Sequence, residues 1–175
     1  MRKIVLLFFA AVVMIAAAGC SSFPAKKDTV LAPYSKILVR PLNFDGAALD
    51  KISGNELDEY NNARPELTKL FKDNFAKVAP KSGYFDQILF EGTPDAGTLV
   101  LESRLAMLDP GIRWVMPGRG AVVCELKDGV TGRKIGSYSV SRSVSRPLTS
   151  TMMGAIETMI GEMGEDAASD IGEAK

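Results

Sequence analysis

Two cysteines and no histidine bound the chemistry open to this chain's side chains. Without imidazole there is no Ser-His or Cys-His nucleophile pair, no His-based zinc site and no ordinary general base near neutral pH. Carboxylates are plentiful, but neighbours such as Asp58-Glu59 and Glu165-Asp166 diverge on a helix and read as solvated faces. No Walker phosphate loop is present. Gly118-Arg119-Gly120 is too short for a dinucleotide loop, and it precedes a strand whereas such a loop opens a helix. Cys124 lies in the alternating run Val122-Val123-Cys124-Glu125-Leu126, in phase with Val122 and Leu126. It reads as a small buried hydrophobe; a reactive thiol needs an exposed, electropositive setting. These residues imply no catalytic group, no metal and no cofactor.

Cys20 has a different setting. It follows Arg2-Lys3 and an apolar run from Ile4 to Ile15 that ends in the small residues Ala16 to Gly19. A bilayer-spanning helix needs roughly 20 apolar residues, so this run fits the core of a signal peptide, with an uncleaved anchor as the alternative. Ala17-Ala18-Gly19-Cys20 resembles the lipobox of bacterial lipoproteins, although Ala17 stands where leucine is commoner. The resemblance implies a diacylglycerol on the Cys20 thiol, cleavage before Cys20 and acylation of the new amine. Residues 1–19 are then a signal peptide, 20–33 a lipid-anchored flexible tether with Pro24 and Pro33, and 34–175 a single α+β domain. With Cys20 committed to lipid, Cys124 has no partner for an intramolecular disulfide.

The whole chain carries 21 basic and 21 acidic residues; losing Arg2 and Lys3 with the leader leaves 19 against 21. That balance makes no demand for nucleic acid or an acidic substrate. The distribution is uneven. Arg104, Arg113, Arg119, Lys127, Arg133, Lys134, Arg142 and Arg146 fall in one stretch, and six of the seven charges after Thr149 are acidic. A polar sheet face beside a solvated helix face explains this; a basic surface meeting phosphate, anionic lipid or a partner's carboxylates is the other reading.

The elements that position these residues follow from periodicity. Ser35 to Leu42 reads as a strand with Ile37 and Val39 on one face, and Asp45 to Asn55 as a loop. Leu67, Leu70, Phe71, Phe75 and Val78 keep a helical rhythm. Pro65 sits in that helix's first turn, with Asn62 as cap, or kinks a helix begun near Glu56; Pro80 and Gly83 are expected to stop it. Phe85 to Phe90 is a short strand. Three meander strands follow: Thr98 to Leu108 with Leu99, Leu101, Leu105 and Met107 on one face, Gly120 to Lys127, and Lys134 to Val144. In the last, serine fills every odd position from 137 to 145, against Tyr138, Val140, Arg142 and Val144. Thr149 to Ile171 is a helix with a stripe of Met152, Ile156, Met159, Ile160, Met163 and Ala167. Its Gly154, Gly161 and Gly164 are expected to recover their helix cost of about 1 kcal/mol each by close packing on the sheet. The order predicts an α+β fold: a five-stranded mixed or antiparallel sheet, β-α-β-β-β-β-α, with two helices on one face.

Asp109 to Gly118 departs from plain architecture, because it joins two strands that a two-residue turn would join. Between Pro-Gly pairs it holds Ile112, Arg113, the only tryptophan (Trp114), Val115 and Met116. Either these apolar side chains tuck under the sheet, or they meet something else, since Trp beside Arg is the composition of an interface anchor.

Leu101 to Leu105 leading to Asp109-Pro110-Gly111, then Arg113-Trp114, the Gly118-Arg119-Gly120 break and the hairpin Asp128 to Lys134 resemble a family of uncharacterised bacterial lipoproteins, a domain of unknown function. The resemblance covers about Ser35 to the C-terminus. It implies Cys20 as the acylation site, a small lipid-held domain and no known catalytic residues. Ser21 stands where an inner-membrane retention signal would place Asp, which implies the outer membrane, with the domain facing the periplasm. The order of elements also looks like the small α+β domains of curli-secretion lipoproteins and of the amino-terminal part of TolB-type proteins, a likeness of fold order that assigns no function.

Three expectations follow. The first is a non-enzymatic envelope lipoprotein, held in the membrane by lipid at Cys20, that binds another envelope protein through Ile112, Arg113, Trp114, Met116 and Arg119. The second is a module binding a small molecule or glycan between sheet and helices. The third is an enzyme working with arginine and carboxylates alone. A pocket with convergent polar groups favours the second; an exposed Trp114 without a cavity favours the first. Oligomeric state is left open.

Overall fold

Alternation with a period of two becomes three long antiparallel strands in the computed structural model, which describes residues 30–173. Before them come β1 (Lys36–Val39), the two-residue β2 (Ala48–Leu49), the helix α1 (Asn55–Ser82) and β3 (Gln87–Leu89). The long strands are β4 (Thr98–Asp109), β5 (Gly118–Asp128) and β6 (Lys134–Val144). The helix α2 (Met152–Ser169) and a 3₁₀ turn (Asp170–Glu173) follow. Cys20, the leader and most of the tether lie outside the described residues.

The sheet has the order β3-β1-β4-β5-β6. β1 runs parallel to β3 and to β4, while β4, β5 and β6 are antiparallel. Parallel neighbours need a crossover, and α1 supplies the one between β1 and β3. The α+β class, the mixed sheet and the two helices are as the sequence predicts; the addition is β2, which pairs with Met107 and Leu108 of β4. Both helices cover one face. Ile37 and Val39, Leu99, Leu101 and Leu105, Val122, Cys124 and Leu126, and Val140 are buried there, with Phe71, Phe75, Ile156, Met159, Ile160 and Met163 in the same core. Every residue of the methionine-rich stripe is buried. Cys124 is fully buried beside Ser103, with its sulfur 3.6 Å from the hydroxyl. Burial pushes its thiol up to about 11, and the Ser103 and Tyr138 hydroxyls counter that only in part.

Three expectations are corrected. First, α1 runs through both prolines and ends at Ser82, with Gly83 as a left-handed cap at φ 66. Pro80 therefore lies inside the last turns and only Gly83 stops the helix. Glu56 and Asp58 in the first turn and Lys81 in the last complement its dipole. Second, the register of β4 against β5 shifts between Leu105 and Met107. One extra residue reverses the phase, so Met107 turns outward and Leu108 is buried. Third, Gly161 and Gly164 of α2 face α1, not the sheet, and Gly154 meets only the Thr151 hydroxyl at the cap of its own helix. A Cβ on Gly164 would lie 2.4 Å from the Phe71 carbonyl oxygen, and one on Gly161 would lie 3.0 Å from Asn74 Nδ2. The glycine that serves sheet packing is Gly120 in β5, where a Cβ would stand 3.0 Å from Met163 Cε.

Candidate functional site

Asp109 ends β4 and fixes the base of the loop beyond it. Its Oδ1 accepts the Gly111 N–H at 2.8 Å, and its carboxylate pairs with Lys51, which also binds Asp50 at 3.0 Å. Burial alone would raise the Asp109 pKa; the Lys51 ammonium, the Gly111 N–H and nearby Arg119 outweigh it and hold the carboxyl below its ordinary value. Gly111 is required here: its φ is 72, and a Cβ would stand 2.4 Å from the Met116 carbonyl oxygen.

Ile112 and Met116 then pair as a miniature ladder, each N–H donating to the other's carbonyl at 2.9 Å. Arg113, Trp114 and Val115 are left as a three-residue tip. Trp114 takes φ 63, a left-handed conformation that costs an L residue roughly 1–2 kcal/mol. The rest of the fold holds it there. The Trp114 N–H donates to the Arg146 carbonyl at 3.1 Å, and Arg146 Nη1 donates to the Gly111 carbonyl at 3.0 Å. The tip is thus braced on one side by Asp109 and on the other by the segment that leaves β6.

That brace presents apolar surface to solvent. Trp114 is 73 % exposed and Val115 77 %, while Ile112 is 44 % exposed. Leu148, two residues beyond Arg146, is 63 % exposed. Single exposed hydrophobes need no explanation, but several on one rigid, strained tip do. Trp114, Val115, Met116 and Pro117 face Ser145, Arg146 and Pro147 across an open groove of about 420 Å³.

Among the sequence-derived candidates, Arg113 and Trp114 stand on this tip, and Ile112 and Met116 form its stem. Trp114 does not tuck under the sheet. Met116 is half-buried as the partner of Ile112, so it belongs to the stem. Arg119 sits apart, exposed in β5 opposite Asp109 on the helix-free face. Sequence reasoning named Val115 as part of the loop but not among the contact residues, and it left out Leu148 altogether. The signal for Leu148 was an isolated large hydrophobe beside Pro147 in a segment between elements. The Arg146 brace had no sequence signal, because it depends on β6 returning beside the loop.

Three of the eight basic residues in that stretch are neutralised by ion pairs. Lys127 pairs with Glu102, Lys134 with Glu125 at 3.0 Å, and Arg142 with Asp166 through both Nε and Nη2. The polar-face reading of those charges therefore fits the geometry. On the helix-free face Arg40, Pro41, Asn43, Glu102, Arg104, Val123 and Glu125 border a second open cleft of about 430 Å³.

No family model and no curated protein matches the chain. Solved structures do. The chain is similar to a Xanthomonas campestris protein of the family model DUF330, at 13 % identity and a TM-score of 0.49, over 79 % of this chain and 85 % of that one. It is similar to a PelC dodecamer from Paraburkholderia phytofirmans, at 11 % identity and 0.44, over 76 % and 88 %. A minor lipoprotein from Acinetobacter baumannii matches at 13 % identity and 0.41, over 80 % and 94 %. Lipoproteins and a DUF330 protein thus stand among the structural neighbours. At these identities and scores they carry no argument about role.

Proposed function

We propose that this chain is a lipid-anchored lipoprotein of the bacterial outer membrane, held by Cys20 with its domain in the periplasm, that acts without catalysis as a binding or assembly module for another envelope protein. The observation that supports a binding role is the state of Trp114. A large aromatic in a left-handed conformation, almost three-quarters exposed, recovers little from burial in its own domain. A strained conformation that the surroundings over-determine is a mark of a contact site, and exposed tryptophan is the residue type that most often anchors one. Arg113 in the tip supplies positive charge at its rim.

The test is cross-linking in cells followed by recovery of the acylated protein, comparing wild type with Trp114→Ala. The variant is expected to weaken co-purification of a discrete partner by about 30-fold or more, the equivalent of about 2 kcal/mol, with the melting temperature nearly unchanged. Equal recovery by both proteins refutes the Trp114 contact.

A second reading rests on the helix-free cleft. Arg40 and Arg104 converge there with Glu102 and Glu125, a mixture suited to a small polar molecule or a glycan fragment. Both carboxylates are already engaged by lysines, and the cleft is open to solvent, which makes it the weaker site.

A further inference from the structure

The strand β6 ends the sheet among the described residues, and its outer edge is bare. Among the described residues it pairs with β5 alone, and no backbone hydrogen bond outside that ladder reaches any residue from 134 to 144. Protein sheets usually blunt such an edge by making it short, charging it, inserting proline, bulging it or covering it. β6 is eleven residues long and contains no proline. Its one charge beyond Lys134 is Arg142, whose guanidinium is drawn to Asp166 on α2. The register against β5 skips Ile135, so the only bulge lies at the start. From Gly136 to Val144 the edge is regular and offers about 30 Å of unpaired backbone. Among the other edge strands β3 has three residues and β2 two, so neither matches that length.

We infer that β6 pairs antiparallel with β6 of a second copy of this chain, joining two sheets into one across a two-fold axis at Val140. The strand is complementary to itself in that register. Residues opposite each other in an antiparallel pair share a face, so odd positions must meet odd and even must meet even. A two-fold at Val140, the midpoint of the regular stretch, satisfies this. It sets Ser137 against Ser143, Ser139 against Ser141 and Val140 against its own copy. Serine pairs opposite one another hydrogen-bond, and valine pairs pack. Tyr138 falls opposite Arg142, whose charge the Asp166 pair already balances. No like charges oppose each other within Gly136–Val144. Because the axis is normal to the sheet, the helices of both copies stay on one face and the serines on the other. A second copy therefore fits this edge, with no need for a strand of different sequence.

The register is tested by charge on the serine face. Ser139 and Ser141 are exposed, and they lie opposite Val123 and Ala121 of β5, so neither substitution meets a charge within the ladder. The mass of the full-length chain is measured by light scattering in a mild detergent, with circular dichroism to show that each variant is folded. Wild type is expected at two chains. Ser139→Lys/Ser141→Lys sets lysine against lysine twice and is expected to halve the mass. Ser139→Lys/Ser141→Glu sets lysine against glutamate twice and is expected to remain a dimer. A monomeric wild type overturns the inference. So does a dimer that survives the double lysine, which places the contact elsewhere, and so does loss of the dimer in both variants, which excludes this register.

Discussion

Trp114→Gly tests whether the tip serves the fold or something outside it. A buried tryptophan covers 150–250 Å², and at 73 % exposure only about a quarter of that, roughly 50 Å², is covered here. At about 25 cal/mol per Å² the lost contact is worth about 1 kcal/mol. Glycine also relieves the left-handed strain at φ 63, a gain of about 1 kcal/mol. The two terms nearly cancel, so Trp114→Gly is expected within about 1 kcal/mol of wild type. Trp114→Ala loses the contact and keeps the strain, so alanine should be the less stable of the two. Urea denaturation followed by far-ultraviolet circular dichroism measures both. As the only tryptophan, Trp114 should also emit as a solvated indole and be quenched by iodide in the wild type. A loss of 3–5 kcal/mol in both variants would show a side chain that fills the core, and the contact-site argument would fail with it.

The α2 glycines give a graded comparison. Gly164→Ala drives a Cβ to 2.4 Å from a Phe71 backbone oxygen and should cost about 1–3 kcal/mol, whereas Gly161→Ala meets only the Asn74 amide and Leu70 and should be nearly neutral; equal melting temperatures would remove the close-approach explanation. Cys124, buried and raised to about 11, should resist a thiol reagent in the folded protein and react only on unfolding, as read by mass spectrometry in urea. Asp109 has a depressed folded pKa, so its contribution is full above the unfolded carboxylate value near 3.9 and is lost as pH falls through the folded value. Asp109→Asn should therefore flatten the acid limb of stability against pH, and an unchanged limb argues against the Lys51 pairing. Cys20→Ala is expected to abolish fatty-acid labelling of the chain; labelled mutant protein would exclude the lipobox reading.

The fold was legible where one residue pattern runs along a whole element. Serine at alternate positions fixes the phase of β6, and the stripe from Met152 to Ala167 fixes that of α2, because a slip of one residue would expose the entire stripe. What escaped the sequence depends on partners distant along the chain. β2 is two residues long and exists because Asp50 and its neighbours run beside the end of β4. The bulge that turns Met107 outward has no local signature, since Leu105, Met107 and Leu108 are all apolar. Gly161 and Gly164 were legible as close-approach residues, but their partner was not: Phe71 and Asn74 lie on the other helix, and periodicity says which face is buried without saying against what.

The candidate site divides along the same line. Its composition was readable: one tryptophan, Arg113 beside it and Pro-Gly at both ends of the loop. Its posture was not, because it depends on Lys51 and Arg146 from elsewhere in the chain. Lys51 neutralises Asp109, Asp109 orders Gly111, and Arg146 ties both Gly111 and Trp114 to the segment leaving β6. Those contacts explain how an unfavourable backbone angle can persist under a side chain that recovers little from its own domain. A flexible loop would relax Trp114 out of φ 63; a braced one keeps it oriented before any partner arrives. Ordering the tip in advance removes most of the entropy that association must otherwise lose there, so a small apolar contact can bind with useful affinity. Arg146 belongs to the connection that begins where β6 ends, so pairing of β6 with a second copy would stiffen one side of that brace.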